Sequence, residues 1–193
     1  MNVKKCLCAD GGDNCLSPRV FESDLIGYFS FDQQLVADDA GTMKIKPDVV
    51  PGPGYGTAML TIGLTTGSLY CNTNSTYNIS SPLLKGQESL SISFWVYPIR
   101  RGKGWTNIFK KGGSPNEYTP SLSVFSQDGT LEIVVSTTKE PSTSMLSNGA
   151  IPVGRWTHVA ISVALNIVKL YINGFLDIER TFDDKILVLS TIT

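Results

Sequence analysis

Gly154-Arg-Trp-Thr-His-Val-Ala-Ile-Ser-Val163, followed closely by Val168-Lys-Leu-Tyr-Ile-Asn-Gly174, decides the fold. Val159, Ile161 and Val163 share one face behind Trp156. Val168, Leu170 and Ile172 repeat the same period of two, which is the signature of half-buried strands. A tight turn separates the two segments, and Asn173-Gly174 closes the second with residues that tolerate positive φ. Such a hairpin carries a row of apolar side chains that needs a second sheet to cover it.

The same alternation recurs on both sides of this stretch. Gly27-Tyr-Phe-Ser-Phe-Asp32 places Phe29 and Phe31 on one face, and Ala37-Asp-Asp-Ala-Gly41 reads as a turn. Pro51-Gly-Pro-Gly-Tyr-Gly56 is a stiff loop ahead of a candidate strand at 58–62. In 90–97, Ile92, Phe94 and Val96 oppose Ser91, Ser93, Trp95 and Tyr97. Short strands are expected at 108–110 and 121–125. The Asp128-Gly129 turn leads into a further strand with Leu131, Ile133 and Val135 on one face. No segment keeps apolar residues at helical spacing. Strands at intervals of about 10 residues, separated by turn residues, indicate an all-β antiparallel sandwich of two sheets.

Bulk properties exclude several functions. The chain has 193 residues, with 16 basic and 17 acidic side chains and no long run of either sign. That pattern gives no electrostatic footprint for nucleic acid. Arg100-Arg101-Gly-Lys103, followed by Trp105, suits either contact with an anionic ligand or, as the first reading, a solvated loop. No stretch approaches the roughly 18 consecutive apolar residues needed to cross a membrane as a helix. Met1-Asn-Val-Lys-Lys-Cys-Leu-Cys8 lacks the apolar core of a signal peptide, so a targeting segment is expected outside this chain.

Residues 1–23 read as a cysteine-bearing lead-in to a domain over 24–193. Cys6, Cys8, Cys15 and Cys71 suit disulfides that tie this lead-in to the sandwich, and four cysteines allow three pairings. Zinc is disfavoured, because Cys-x-Cys is not the Cys-x-x-Cys knuckle and His158 is the single histidine. Asn74-Ser-Thr76 and Asn78-Ile-Ser80 are both N-glycosylation sequons in a Ser/Thr-rich loop beside Cys71. Together with the cysteines they point to the secretory-pathway lumen or the extracellular space.

The ordered segments resemble the laminin G-like and pentraxin branch of the concanavalin A-like lectin/glucanase superfamily. Tyr28-Phe-Ser-Phe-Asp32 with Asp38, Asp39 and Gly41 is similar to its first strand and turn. Ser91-Ile-Ser-Phe-Trp-Val-Tyr-Pro98, Ile108-Phe-Lys-Lys-Gly112 and Asp128-Gly-Thr-Leu131 match its middle strands. Gly154-Arg-Trp-Thr-His-Val-Ala160 and Lys169-Leu-Tyr-Ile-Asn-Gly174 match most closely. The resemblance covers about residues 24–190 and implies a concanavalin A-like jelly roll. It departs from the family at the end: after Ile186-Leu-Val-Leu-Ser-Thr-Ile-Thr193 no sequence supplies the closing strand pair. A fragment, or a sheet edge completed by a neighbouring segment, is therefore expected.

This fold hosts lectins, adhesion modules and hydrolases, so function must be argued from residues. Hydrolases of the superfamily carry Glu-x-Asp-x-x-Glu, and the nearest match here is Glu22-Ser-Asp24 with Gly27 in the third acidic position. Without paired carboxylates a glycosidase has neither nucleophile nor acid, so no catalytic residue is assigned. His158, with no serine or cysteine nucleophile motif around it, reads as structural. The resemblance implies calcium as an occasional cofactor, with Asp32, Asp38 and Asp39 as candidate ligands and Asp183 with Asp184 as a second acidic pair. All five also suit ordinary turns. Trp105 and Tyr118 fall in loop-like stretches, and Trp105 is the candidate ligand contact. Trp95 and Trp156, in strands, are expected in or near the core. The expected function is non-catalytic recognition of a glycan or protein ligand outside the cytosol. The alternative is a structural assembly domain of a larger chain or complex.

Overall fold

Alternation along the sequence becomes alternation in burial. Between 157 and 164, Thr157, Val159, Ile161 and Val163 are buried, while His158, Ala160 and Ser162 face the other way. The computed structural model describes residues 27, 59–61, 68–70, 79–80, 87–112, 117–187 and 191–192. In chain order the strands are β1 (Met59–Thr61), β2 (Ser68–Tyr70), β3 (Ile79–Ser80), β4 (Ser89–Val96), β5 (Trp105–Lys110), β6 (Ser121–Phe125), β7 (Thr130–Val135), β8 (Thr143–Ala150), β9 (Thr157–Ala164), β10 (Ile167–Ile172), β11 (Phe175–Thr181) and β12 (Thr191–Ile192). No helix occurs among the described residues.

Two four-stranded antiparallel sheets form the sandwich, one ordered β11-β10-β9-β4 and the other β5-β6-β7-β8. The chain leaves the first sheet after β4, builds the whole of the second, and returns at β9 to pair with β4. Two short pairs, β1 with β2 and β3 with β12, accompany them. Ile186 adds an isolated bridge to Thr137.

The inner faces meet in one core. Leu122, Leu131, Ile133 and Val135 of the second sheet oppose Val159, Ile161, Val163, Val168 and Leu170 of the first, each at most 1% exposed. Burying a side chain of this kind contributes roughly 1.5–3 kcal/mol, so this layer is the main stabilising term. Phe94 of β4 and Phe109 of β5 meet edge to face across the layer, with centroids 5.8 Å apart.

Turn chemistry sets the hairpins. Asn173 and Gly174 take φ values of 52° and 84° between β10 and β11, the left-handed pair that suits a two-residue hairpin loop. Asn173 also clamps the start of β9: its Oδ1 accepts from His158 N–H at 3.0 Å, and its N–H donates to His158 O at 2.8 Å. At the β6–β7 turn, Gly129 has φ 92° and Asp128 Oδ1 accepts from Thr130 N–H at 2.8 Å.

Several expectations change. Strands β8 and β11 are additions to the segments expected from the sequence. β8 alternates in burial, but its inner side carries Thr143, Ser147 and Gly149 beside Met145, so its sequence shows no apolar period, and β11 buries none of its seven side chains. Both lie at sheet edges, where one buried face is enough. The strand expected at 108–110 begins earlier, at Trp105, so that residue is on a strand and not in a loop. Asp32, Asp38, Asp39, Asn74, Asn78 and all four cysteines lie outside the described residues, as do Glu22, Asp24, Phe29 and Phe31.

Candidate functional site

The outer face of β5–β8 is built by the residues that alternate out of the core. In β6 and β7, Leu122, Val124, Leu131 and Ile133 point inward, so Ser121, Ser123, Phe125, Thr130, Glu132 and Val134 point outward. Antiparallel register then lines them up in rows. Trp105 pairs with Phe125, Asn107 with Ser123, Ser123 with Glu132, and Glu132 with Leu146. Lys110 pairs with Ser121, which pairs with Val134.

Trp105 stands at the rim of this face. It is 47% exposed and leans on the Phe125 ring, with centroids 5.0 Å apart and planes tilted by 46°. Phe125 supports one side of the indole and leaves the rest to solvent. At the opposite rim, Lys110 Nζ lies 4.5 Å above the Tyr118 ring.

A polar floor runs between the rims. A bulge between Asn107 and Phe109 brings the Asn107 amide over the strand. Its nitrogen lies 2.9 Å from Ser121 Oγ, 3.3 Å from Ser123 Oγ, and 3.2 and 3.3 Å from the carbonyls of Phe109 and Leu122. These partners hold the amide in one orientation, and its Oδ1 takes no partner among the described residues. Glu132 sits two strands away, half-buried, and its carboxylate likewise takes neither hydrogen bond nor ion pair among the described residues.

Chemically this is an aromatic platform beside fixed acceptors. An indole face covers the C–H side of a sugar ring, while amide and carboxylate oxygens accept from its hydroxyls. Trp105 was anticipated as a contact. Phe125, Asn107 and Glu132 were not, although the alternation around Leu122, Leu131 and Ile133 already places Ser123, Phe125 and Glu132 on the outward side.

Other surfaces were candidates. On the outer face of the first sheet, Trp95 pairs with His158 and their rings meet at 5.2 Å. Trp95 is 51% exposed, which corrects its expected place in or near the core: it shares the phase of Ser91 and Ser93, not that of Phe94. Tyr97 leans on half-buried Trp156 at 5.3 Å. Burial pushes the His158 imidazole below its ordinary pKa. Asp184 is held by Lys139 at 2.7 Å. Among the described residues no group of three or more His, Cys, Asp or Glu side chains is placed to hold a metal.

A cavity of about 290 Å³ opens beside Ser136, Thr137 and Lys139. Its hydroxyls are already engaged: Ser136 Oγ accepts from Tyr118 N–H and donates to Pro141 O, and Thr137 Oγ1 accepts from Glu140 N–H. It offers a ligand fewer open partners than the sheet face.

Comparison with known proteins supports the architecture. A laminin G-type family model, described as the concanavalin A-like lectin/glucanases superfamily, matches residues 71–191. No curated protein matches the sequence. Domain 4 of AbnA, a GH43 extracellular arabinanase from Geobacillus stearothermophilus, solved in complex with arabinotriose, superposes with a TM-score of 0.65 at 23% identity. The match covers 87% of this chain and 81% of that one. The binding domain of Paraclostridial Mosquitocidal Protein 1 gives a TM-score of 0.66 at 16% identity, over 89% of this chain and 44% of that one. A structure of botulinum neurotoxin type C, whose cell entry depends on interaction with two ganglioside molecules, gives 0.64 at 16% identity, over 89% and 42%. The chain spans less than half the length of these two toxin chains. At such identities the likeness establishes the fold.

Proposed function

The chain belongs to the concanavalin A-like lectin/glucanases superfamily, and from that premise we propose that it is a non-catalytic, extracellular glycan-recognition module. The oligosaccharide lies on the outer face of β5–β8. The observation that carries this reading is the exposed Trp105, propped on Phe125 beside the acceptors of Asn107 and Glu132. Trp105 stacks on a sugar ring, and Asn107 and Glu132 accept from its hydroxyls. One carboxylate stands in these rows, and one carboxylate cannot divide the roles of nucleophile and acid. The arabinotriose held by the arabinanase domain and the ganglioside dependence of the botulinum toxin are the precedents on this scaffold.

The same reading takes Cys6, Cys8, Cys15 and Cys71 as disulfide partners, Asn74 and Asn78 as glycan carriers, and Asp32, Asp38 and Asp39 as calcium ligands. It also takes residues 1–23 as a lead-in to a domain over 24–193. A second reading, an assembly domain, draws support from the exposed Trp95, Tyr97 and Phe175 of the first sheet and its hairpin, which suit a protein partner.

Titration calorimetry with a panel of oligosaccharides, arabinotriose among them, tests the proposal. Saturable binding weakened about tenfold or more by Trp105→Ala and unchanged by Phe175→Ser is the expected result. Binding that survives Trp105→Ala, or a panel with no binder, removes the proposal in favour of the assembly reading.

A further inference from the structure

We propose that Glu132 makes this face selective for neutral sugars bearing adjacent hydroxyls, and excludes anionic ones; the inference rests on the glycan-recognition reading above. Glu132 lies mid-strand on β7, an interior strand flanked by β6 and β8, with Ser123 on one side and Leu146 on the other. It is therefore central on the face, not at its rim. Its side chain is half-buried, yet its carboxylate has no hydrogen bond or ion pair among the described residues. A partly desolvated carboxylate without donors gains from any O–H that reaches it, and such charge-assisted bonds are shorter and stronger than neutral ones.

Two hydroxyls on neighbouring sugar carbons present two donors to the two carboxylate oxygens. Asn107 Oδ1 offers a third acceptor in the same row, two strands away. The floor is thus rich in acceptors, which suits a ligand that donates. The cations stand toward the ends of the face: Lys110 in the next row with Ser121 over the Tyr118 ring, and Arg101 beside the Asp128–Gly129 turn. A sialic acid, uronic acid or sulfate ester placed on this floor meets a fixed like charge in a setting less screened than bulk water.

The experiment measures binding of paired neutral and anionic probes, lactose against sialyllactose and arabinotriose against a sulfated oligosaccharide, to wild type, Glu132→Gln and Trp105→Ala. Thermal unfolding of each variant is measured alongside. Wild type is expected to bind a neutral probe and to bind its anionic counterpart at least about tenfold more weakly. Glu132→Gln, isosteric and uncharged, is expected to lose about tenfold on the neutral probe and to narrow that ratio. Equal or tighter anionic binding by wild type, or a ratio unmoved by Glu132→Gln, overturns the inference. If such binding still disappears in Trp105→Ala, the glycan-recognition reading survives without it. Absence of binding to every probe overturns both.

Discussion

Asp177 of β11 accepts a hydrogen bond from Gly149 N–H of β8 at 2.7 Å, and its other carboxylate oxygen accepts from Asn148 N–H at 2.8 Å. The Asn148 amide returns a bond to Asp177 O at 2.7 Å. β8 and β11 are edge strands of different sheets, so this contact fastens the two layers along one side of the sandwich. Arg180 adds a bond to Ser144 O at 2.6 Å. The polar clasp also covers edges that would otherwise present unpaired backbone groups.

Asp177→Ala leaves two N–H groups without their acceptor. A loss of about 1–3 kcal/mol is expected, read as a lower urea midpoint with an unchanged slope. Asp177→Asn keeps one acceptor and is expected to fall between the variant and wild type. An Asp177→Ala midpoint equal to wild type would show that the clasp contributes nothing.

Two turn glycines are expected to respond differently to alanine. Gly174 has φ 84° and open space where a Cβ would go, so Gly174→Ala meets backbone strain alone, about 1–2 kcal/mol. Gly129 has φ 92°, and a Cβ there would run into the Ile151 carbonyl oxygen. Gly129→Ala adds overpacking to strain and is expected to cost about 3 kcal/mol or more. Equal thermal shifts for the two would refute the distinction.

Lys111 is inaccessible to solvent, and its ammonium has no hydrogen-bond partner among the described residues. Burial lowers its pKa from 10.5 to about 8. Below about pH 8 the lysine is charged in both folded and unfolded chains, and the folded state bears the full desolvation cost. Between about 8 and 10.5 the unfolded chain binds the extra proton, so stability rises with pH across that window. Lys111→Met is therefore expected to be more stable than wild type at pH 7 by about 2–3 kcal/mol, with the difference shrinking toward pH 10. A constant difference across pH would exclude a depressed pKa as its origin.

His158, the single histidine, gives an isolated proton resonance to follow. Burial depresses its pKa, so its titration midpoint is expected below the ordinary 6.5. The folded chain then binds fewer protons than the unfolded one just below that value, and stability falls as pH drops through the region. Removing the neighbouring ring with Trp95→Ala is expected to move the midpoint up toward 6.5. An unmoved midpoint would assign the desolvation to the strand floor instead.

The alternation in 157–163 and 168–172 says which side chains of each strand enter the core, because successive side chains leave a strand on opposite sides whatever its neighbours are. It places the β10–β11 turn too, since Asn173-Gly174 is a local conformational demand. The same rule, applied to Trp95, contradicts the expectation that a strand tryptophan is core: phase outranks hydrophobicity. β8 and β11 escaped notice because their stabilisation comes from edge pairing and from Asp177, neither of which leaves a periodic trace in the chain.

The candidate site divides in the same way. Residue order alone shows that Ser123, Phe125 and Glu132 point away from the core, and that Trp105 is a large aromatic beside a glycine-bearing loop. Only pairing across the sheet brings Trp105 onto Phe125, 20 residues apart in register, and sets Asn107, Ser123 and Glu132 in one row. The period of two is a property of a single strand, whereas a row is a property of register between strands, and register is set by the turns and the shared core once the sheets have formed.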